Sequence, residues 1–342
     1  MTPKRIFITG ASGSTGHYIT DTLIRETNHE LFLLLRDPAR LRLDTGYRSG
    51  INLLQGDLKD ILSFAGLLKT MNVAVLTAVD WGGTQAFFVN VAKTLELLEL
   101  LDPAVCEQAL YFSTASILNR DGRPIDIAGE IGTDYVRSKY DCLQRLPGLA
   151  IAPRLTVLFP TVVLGGDAHK PHSFLSEGLP KLVKWVDLIR FFRADGSFHI
   201  IHGQDTALIV RYLIDHPPLD PGPRSIVLGQ QRVTFDQAVE EVCAYLDKRI
   251  YFRMPIPIPL MKLLLMLFQY RIPYRDRLWD RFCLDHRHFS YANPVNPGSL
   301  GLPNYCATLT DLLRISGIPH RATPEPVPGG IPQADGSEDH PR

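Results

Sequence analysis

The stretch "RIFITGASGSTG" (5–16) places an apolar run directly before three glycines, Gly10, Gly13 and Gly16, and a helical pattern follows at once. A strand, a glycine turn and a helix in that order mark the place where an open α/β sheet binds a nucleotide. Gly10 permits the tight turn. Gly13 lets backbone approach a pyrophosphate with no Cβ in the way, and Gly16 lets the helix pack close to the strand. The helix N-terminus then offers free N–H groups and a positive partial charge to phosphates. Ser12 and Thr15 lie in the same turn and join the expected cofactor-binding set.

Downstream, short apolar runs alternate with helical patterns. Strands are expected at 30–36, 51–57, 73–78, 109–116 and 154–165. Helices are expected at 57–71, 84–101 and 135–146, after the first at 17–26. Such alternation predicts βαβ units: an α/β fold with a doubly wound, Rossmann-type parallel sheet. From about residue 166 the rhythm changes, which predicts a smaller C-terminal substrate lobe over 166–321 beside a nucleotide-binding domain over 1–165. The strand-like segments 198–202 and 224–229 and the helix after the first of them, up to 215, are expected to return to the first domain. Thr234 and Gln237 stand in capping-box spacing, so a helix starts there. The proline- and glycine-rich end, 322–342, reads as a disordered tail.

The tip of the second strand bears on cofactor choice. A carboxylate there takes the ribose hydroxyls of NAD, whereas a guanidinium offers bidentate hydrogen bonds to the 2′-phosphate of NADP. The run ends in Arg36, with Asp37 next and Arg40 and Arg42 nearby. NADP is therefore expected, with NAD as the alternative. Asp57, after the third strand, is placed to meet the adenine amino group; Leu58 beside it and Thr77 at the fourth strand's tip complete the set.

The chemistry is expected further on. The fifth strand ends in "YFSTAS" (111–116), and "DYVRSKY" holds Tyr135 and Lys139 in YxxxK spacing. Positions four apart share a helix face. An ammonium beside a phenol favours the phenolate and lowers its pKa, so such a tyrosine can pass a proton near neutral pH. Hydride transfer at a carbonyl or alcohol carbon requires that pair and a hydroxyl to hold the substrate oxygen.

These segments resemble the short-chain dehydrogenase/reductase superfamily in its extended or atypical branch, the NAD(P)-dependent epimerase/dehydratase-like proteins. The resemblance lies in "TGASGSTG" (9–16), "GDLKD" (56–60), "VNVAKT" (89–94), "FSTAS" (112–116), "YVRSK" (135–139), "FPTVVLGG" (159–166) and "HIIHGQDTALIVRYLI" (199–214). It implies that Tyr135 is the acid/base, that Lys139 tunes it and binds the nicotinamide ribose, and that Thr114 orients the substrate oxygen. Ser113 and Ser116 are neighbouring hydroxyls, and Pro160 maps to the proline beside the nicotinamide. Two features depart from the family: Phe159 stands where arginine is frequent, and "ILN" (117–119) replaces the usual "VYG". Two other functions stay open: a nucleotide-sugar epimerase or dehydratase that recycles its cofactor, and a non-catalytic dinucleotide-binding scaffold or redox sensor.

Composition narrows the rest. With 36 basic and 36 acidic residues, no charge excess points to a nucleic-acid partner. Five scattered cysteines without a CxxC fit reduced thiols and a cytoplasmic protein, and the start of the chain has no signal-peptide core. "PIPIPLMKLLLMLFQY" (255–270) is too short and interrupted to span a membrane. It reads as a buried or partly exposed amphipathic helix, with peripheral membrane contact as the alternative. A small, less polar substrate is suggested by Trp185, Phe191, Phe192, Tyr251, Phe252, Phe268 and Tyr270. Helix 84–101 is apolar almost all round, which predicts a homodimer. His286 and His288 beside Asp285 lack a third ligand at a telling spacing, so no metal site is expected there. Arg190 and Arg193 read as a solvated edge, and His199 and His202 as structural.

Overall fold

The computed structural model describes residues 2–260, 262 and 274–320. The first strands are β1 (Arg5–Thr9), β2 (Glu30–Leu35), β3 (Ile51–Gln55), β4 (Val73–Leu76), β5 (Gln108–Phe112) and β6 (Leu155–Pro160). With the strand Arg224–Leu228 they form one seven-stranded sheet. Its order is 224–228, β6, β5, β4, β1, β2, β3, and every neighbouring pair is parallel. The expected doubly wound α/β sheet is therefore present.

The period of two in the strands explains the layering. Ile6 and Ile8 face one core, as do Leu31 and Leu33, Val73 and Val75, and Leu110 and Phe112. Phe7, Phe32 and Leu34, Ala74 and Leu76, and Ala109 and Tyr111 face the other. Both faces are apolar because helices cover both, as parallel sheets demand. The first face packs under α1 (Ser14–Glu26), through Ile19, Leu23 and Ile24, and under the helix Gly203–Asp215 through Ile209, Val210 and Ile214. The second packs under Thr94–Glu99 and Asp134–Arg145.

Two expected helices take other forms. Over 57–71 the chain forms a 3-10 segment, Leu58–Phe64, and a short α-helix, Ala65–Leu68. Asp57 caps that segment through Lys59 N at 3.0 Å, and Asp60 at φ −105°, ψ 26° interrupts it. Over 84–101 the chain forms a π-helix, Phe88–Lys93, that runs into the α-helix Thr94–Glu99. The apolar surplus behind the dimer expectation is largely absorbed within the chain: Val91, Leu97, Leu98 and Leu101 are buried and Phe87 and Leu95 pack against the same core. Phe88 alone of the set is exposed, at 42%.

Beyond β6 lie three two-stranded pieces: 162–164 with 200–202, 197–198 with 233–234, and 192–193 with 254–255. The helix Phe235–Tyr245 starts with the expected capping box of Thr234 and Gln237. Most of the 255–270 segment and all of 322–342 lie outside the described residues. Among the described residues no helix is long and apolar enough to cross a membrane.

One buried carboxylate ties the late segments to the sheet. Asp205 accepts from Tyr305 N (2.6 Å), Cys306 N (3.1 Å) and Gln230 Nε2 (3.2 Å) while fully buried. Burial raises its pKa, and those three donors oppose the rise. Asp205→Ala would orphan the Tyr305 and Cys306 N–H groups, each at a cost of ~1–3 kcal/mol, and leave Gln230 Nε2 only the Asn304 Oδ1 at 3.5 Å. Urea unfolding should show a loss on the order of 3 kcal/mol; an unchanged midpoint would remove Asp205 from its anchoring role.

Candidate functional site

In the sheet order β1 and β4 are neighbours, although the chain visits β2 and β3 between them. At such a switch point the loops diverge and leave a crevice at the carboxyl ends of the strands. A cleft of about 710 Å³ lies there. Its lining includes Gly10, Ser12, Gly13, Thr15, Gly16, Arg36, Asp57, Leu58, Thr77, Thr114, Tyr135, Lys139 and Pro160. The fold thus brings every site residue expected from the sequence to one cavity.

The glycine turn is a cradle that side chains would fill. Gly10 has φ +74°, and a Cβ there would stand 2.6 Å from Ala78 N and Thr77 Oγ1. A Cβ on Gly16 would stand 2.0 Å from the Gly10 carbonyl oxygen. Gly13 caps α1 without a side-chain bond, so the first N–H groups of the helix are left for another acceptor. The Ser14 and Ser113 hydroxyls are buried and unpartnered among the described residues. Open N–H groups, orphaned hydroxyls and a Cβ-free approach suit a dinucleotide's phosphates and ribose. Thr77 braces the floor, its hydroxyl donating to Thr9 O at 2.7 Å.

At the tips of β2 and β3 the charges divide. Asp37 uses one carboxylate oxygen as a cap, accepting from Ala39 N at 3.0 Å, and Asp57 caps likewise. The exposed guanidiniums of Arg36 and Arg40 line the cleft and have no hydrogen-bond or ion-pair partner among the described residues. His17 is buried between the turn and the next loop. Its Nδ1 donates to Gly13 O (3.1 Å), and its Nε2 accepts from Arg42 N (3.1 Å). That tautomer is neutral, in keeping with a pKa lowered by burial.

The chemical end follows β5. Thr114 caps a short turn, and its hydroxyl lies 3.0 Å from that of Ser116. Tyr291 supports this turn from below by donating to Ala115 O at 2.6 Å. His199 holds Tyr291 in turn: its Nε2 accepts from Tyr291 N at 3.0 Å and its Nδ1 donates to Gln230 O at 2.7 Å. Burial pushes the Tyr135 phenol up to about 12, against a lowering contribution from the Thr114 hydroxyl. Lys139 is buried, donates to Phe112 O at 2.7 Å and lies 4.8 Å from the Tyr111 ring centroid. Burial brings its pKa down to about 8. The expected lowering of Tyr135 by Lys139 is not found here. Both groups are desolvated, and desolvation opposes both charged forms.

Sequence reasoning missed the loop that covers this end. Trp81 stacks on Tyr135 with ring centroids 4.7 Å apart. Asn90, in the π-helix, fixes that loop: its Oδ1 accepts from Asp80 N (2.8 Å) and its Nδ2 donates to Asp80 O (2.8 Å) and Ser138 Oγ (2.9 Å). Ser138 Oγ donates to Tyr135 O at 2.8 Å, which closes the link to the tyrosine's own helix. Asn90 lies inside "VNVAKT", where nothing local marks its role. Trp81 is signalled only as an aromatic before two glycines after a strand.

The remaining candidates lie elsewhere. Asp285 pairs with Lys262, and His288 meets Asp195 and Ser197, while His286 stacks on Phe282. Arg190 pairs with Asp187 and Arg193 with Asp236. Trp185, Phe191, Phe192, Tyr251 and Phe252, invoked for an apolar substrate, do not line the cleft, and Phe268 and Tyr270 lie outside the described residues.

Residues 10–132 match the family model described as NAD(P)H-binding. No curated protein matches the chain in sequence. Among solved structures the chain is similar to UDP-glucose-4-epimerase from Stenotrophomonas maltophila, solved with NAD and formylated UDP-arabinopyranose. That match has 18% identity and a TM-score of 0.62, covering 93% of this chain and 98% of that one. It is also similar to UDP-N-acetylglucosamine 4-epimerase from Methanobrevibacter ruminantium, in complex with UDP-N-acetylmuramic acid, at 15% identity, 92% and 97% coverage and TM-score 0.60. A third likeness is to dTDP-glucose 4,6-dehydratase from Bacillus anthracis in complex with NAD, at 13% identity, 74% and 84% coverage and TM-score 0.52. Identities this low establish a shared fold, and it is the fold that the motif resemblance implied.

Asn90→Leu tests the geometry without touching the cleft's hydroxyls. It leaves the half-buried N–H and C=O of Asp80 unpaired, at ~1–3 kcal/mol in urea unfolding, and should shift tryptophan emission as the Trp81 loop loosens. Unchanged stability and emission would show that the loop is held by something else.

Proposed function

We propose that this chain is an NAD(P)(H)-dependent oxidoreductase of the extended short-chain dehydrogenase/reductase type, which moves a hydride to or from a carbon bearing oxygen. The observation that carries this reading is the convergence of the Gly10–Gly16 cradle, Thr114, Tyr135 and Lys139 on one cleft. The nicotinamide, when bound, supplies or accepts the hydride. Tyr135 donates a proton to the carbonyl oxygen in reduction and removes one from the alcohol in oxidation. Its phenol, held protonated by burial, suits the first task directly. Thr114 holds the same oxygen, and Lys139 holds the ribose of the cofactor. Residues 1–165, with the segments 198–215 and 224–229, are assigned to cofactor binding, and the rest of 166–321 to the substrate.

NADP(H) is the proposed cofactor. Asp37 and Asp57 each have one carboxylate oxygen committed to backbone, whereas the guanidiniums of Arg36 and Arg40 are wholly open to a 2′-phosphate. Arg36→Asp should weaken NADPH binding by ~1.5–3 kcal/mol, the range for a charged hydrogen bond, and leave NADH nearly unchanged. Calorimetric titration of both cofactors reads this directly, and equal affinities in wild-type and variant would overturn the choice.

A second reading is favoured by the likeness to nucleotide-sugar 4-epimerases: epimerisation with the cofactor recycled in each turnover. The absorbance of reduced nicotinamide separates the two. A reductase consumes NADPH in proportion to product, whereas an epimerase converts substrate with no net change.

Tyr135→Phe keeps the ring's packing and removes the proton, so turnover should fall roughly 10²–10⁴-fold with fold and cofactor affinity intact. With the phenol near 12, alcohol oxidation should rise with pH between 7 and 10 as phenolate grows, and carbonyl reduction should stay level from 5 to 7, below the Lys139 value of about 8. A Tyr135→Phe enzyme with wild-type turnover, or an oxidation rate flat in pH, would rule out Tyr135 as the acid/base.

A further inference from the structure

We infer that the substrate meeting Tyr135 is an apolar, ring-bearing carbonyl or alcohol and not a nucleotide sugar. This rests on the reading of Tyr135 as acid/base given above. Three large apolar side chains line the cleft yet stay open to solvent: Trp81 at 68%, Phe174 at 81% and Leu175 at 49% exposure. Folding normally buries such groups, and several left open on the wall of one cleft mark a binding surface. Trp81 is not loose. It stacks on Tyr135, and its loop is pinned through Asp80 by the buried Asn90. A ring lying on the open part of the indole would come up against the phenol.

The cations are in the wrong place for a sugar nucleotide's diphosphate. Arg36, Arg40 and Lys59 follow β2 and β3. In the sheet order β5, which leads to Thr114, is separated from β2 by β4 and β1. Three strand spacings put the arginine end about 14 Å from the Thr114 end. Those side chains are also the ones the 2′-phosphate of NADP would occupy. Near Tyr135 the one ammonium among the described lining residues, Lys139, is buried against the Phe112 carbonyl. The remaining basic group on the described lining is the His172 imidazole, and the carboxylate of Asp80 adjoins Trp81. A diphosphate there would lose its hydration for one imidazole and face an anion. A ketone or alcohol on a ring asks only for Thr114, Tyr135 and the apolar wall.

Calorimetric titration of the NADPH-loaded protein with 2-tetralone, a bicyclic ketone, and with UDP-glucose tests this. The expected result is saturable binding of 2-tetralone, accompanied by NADPH oxidation, and none of UDP-glucose. Trp81→Ala and Leu175→Ser should each weaken 2-tetralone by about tenfold while NADPH affinity and melting temperature hold. Saturable binding of UDP-glucose, absence of 2-tetralone binding, or equal 2-tetralone affinity in Trp81→Ala and wild type would overturn the inference. Failure of the wild-type protein to bind NADPH would instead sink the cofactor reading and this one with it.

Discussion

The close approach of Gly16 to the Gly10 carbonyl is the contact on which the site depends. Two backbones meet where a Cβ would lie 2.0 Å from an oxygen. That contact lets α1 begin at the mouth of β1 and aim its unpaired N–H groups into the crevice. It also sets how deep the crevice is, because Thr77 and Ala78 close the other side of the same turn. The sheet order then does the rest, since β1 and β4 are neighbours and everything carried past their tips is delivered to one place.

Around that crevice the chain uses neutral or buried polar groups as struts. His17 bridges the glycine turn to Arg42, and His199 with Tyr291 bears the Thr114 turn. Each imidazole has one nitrogen donating and the other accepting, which only the uncharged ring can do. Lys139 differs: its ammonium is desolvated with a carbonyl for company and no carboxylate among its hydrogen-bond partners. Burial therefore takes its pKa to about 8, while the nearby phenol moves the opposite way, to about 12. At both groups burial outweighs the neighbouring polar groups.

The glycine turn, the strand tips and the YxxxK pair were legible because each rests on local rules: Cβ clashes, strand periodicity and helical spacing. The doubly wound sheet followed from the alternation of apolar runs for the same reason. What stayed hidden depends on contacts between distant segments. Tyr291 reaches Ala115 from 176 positions away, and no period in the sequence announces it. Trp81 became meaningful only once the fold set it against Tyr135. Trp185, Phe191, Phe192, Tyr251 and Phe252, which suggested the substrate, were of the right kind but in other places, since composition reports what a lobe contains and not which surface it faces. Nor could the sequence show that the core takes in most of the apolar residues of 84–101.

The π-helix at Phe88–Lys93 carries a consequence of another sort. A π-turn holds one more residue than an α-turn over the same hydrogen-bonded span. Asn90 reaches Asp80 and Ser138 from within that wider turn. Loss of one codon there would restore ordinary helical winding and remove the wider turn from which Asn90 reaches Asp80 and Ser138. Substitutions in this stretch can be judged one side chain at a time, but its residue count is inherited as a fixed quantity. In a lineage of such chains, the length of this stretch would be kept where the identities of its residues were not.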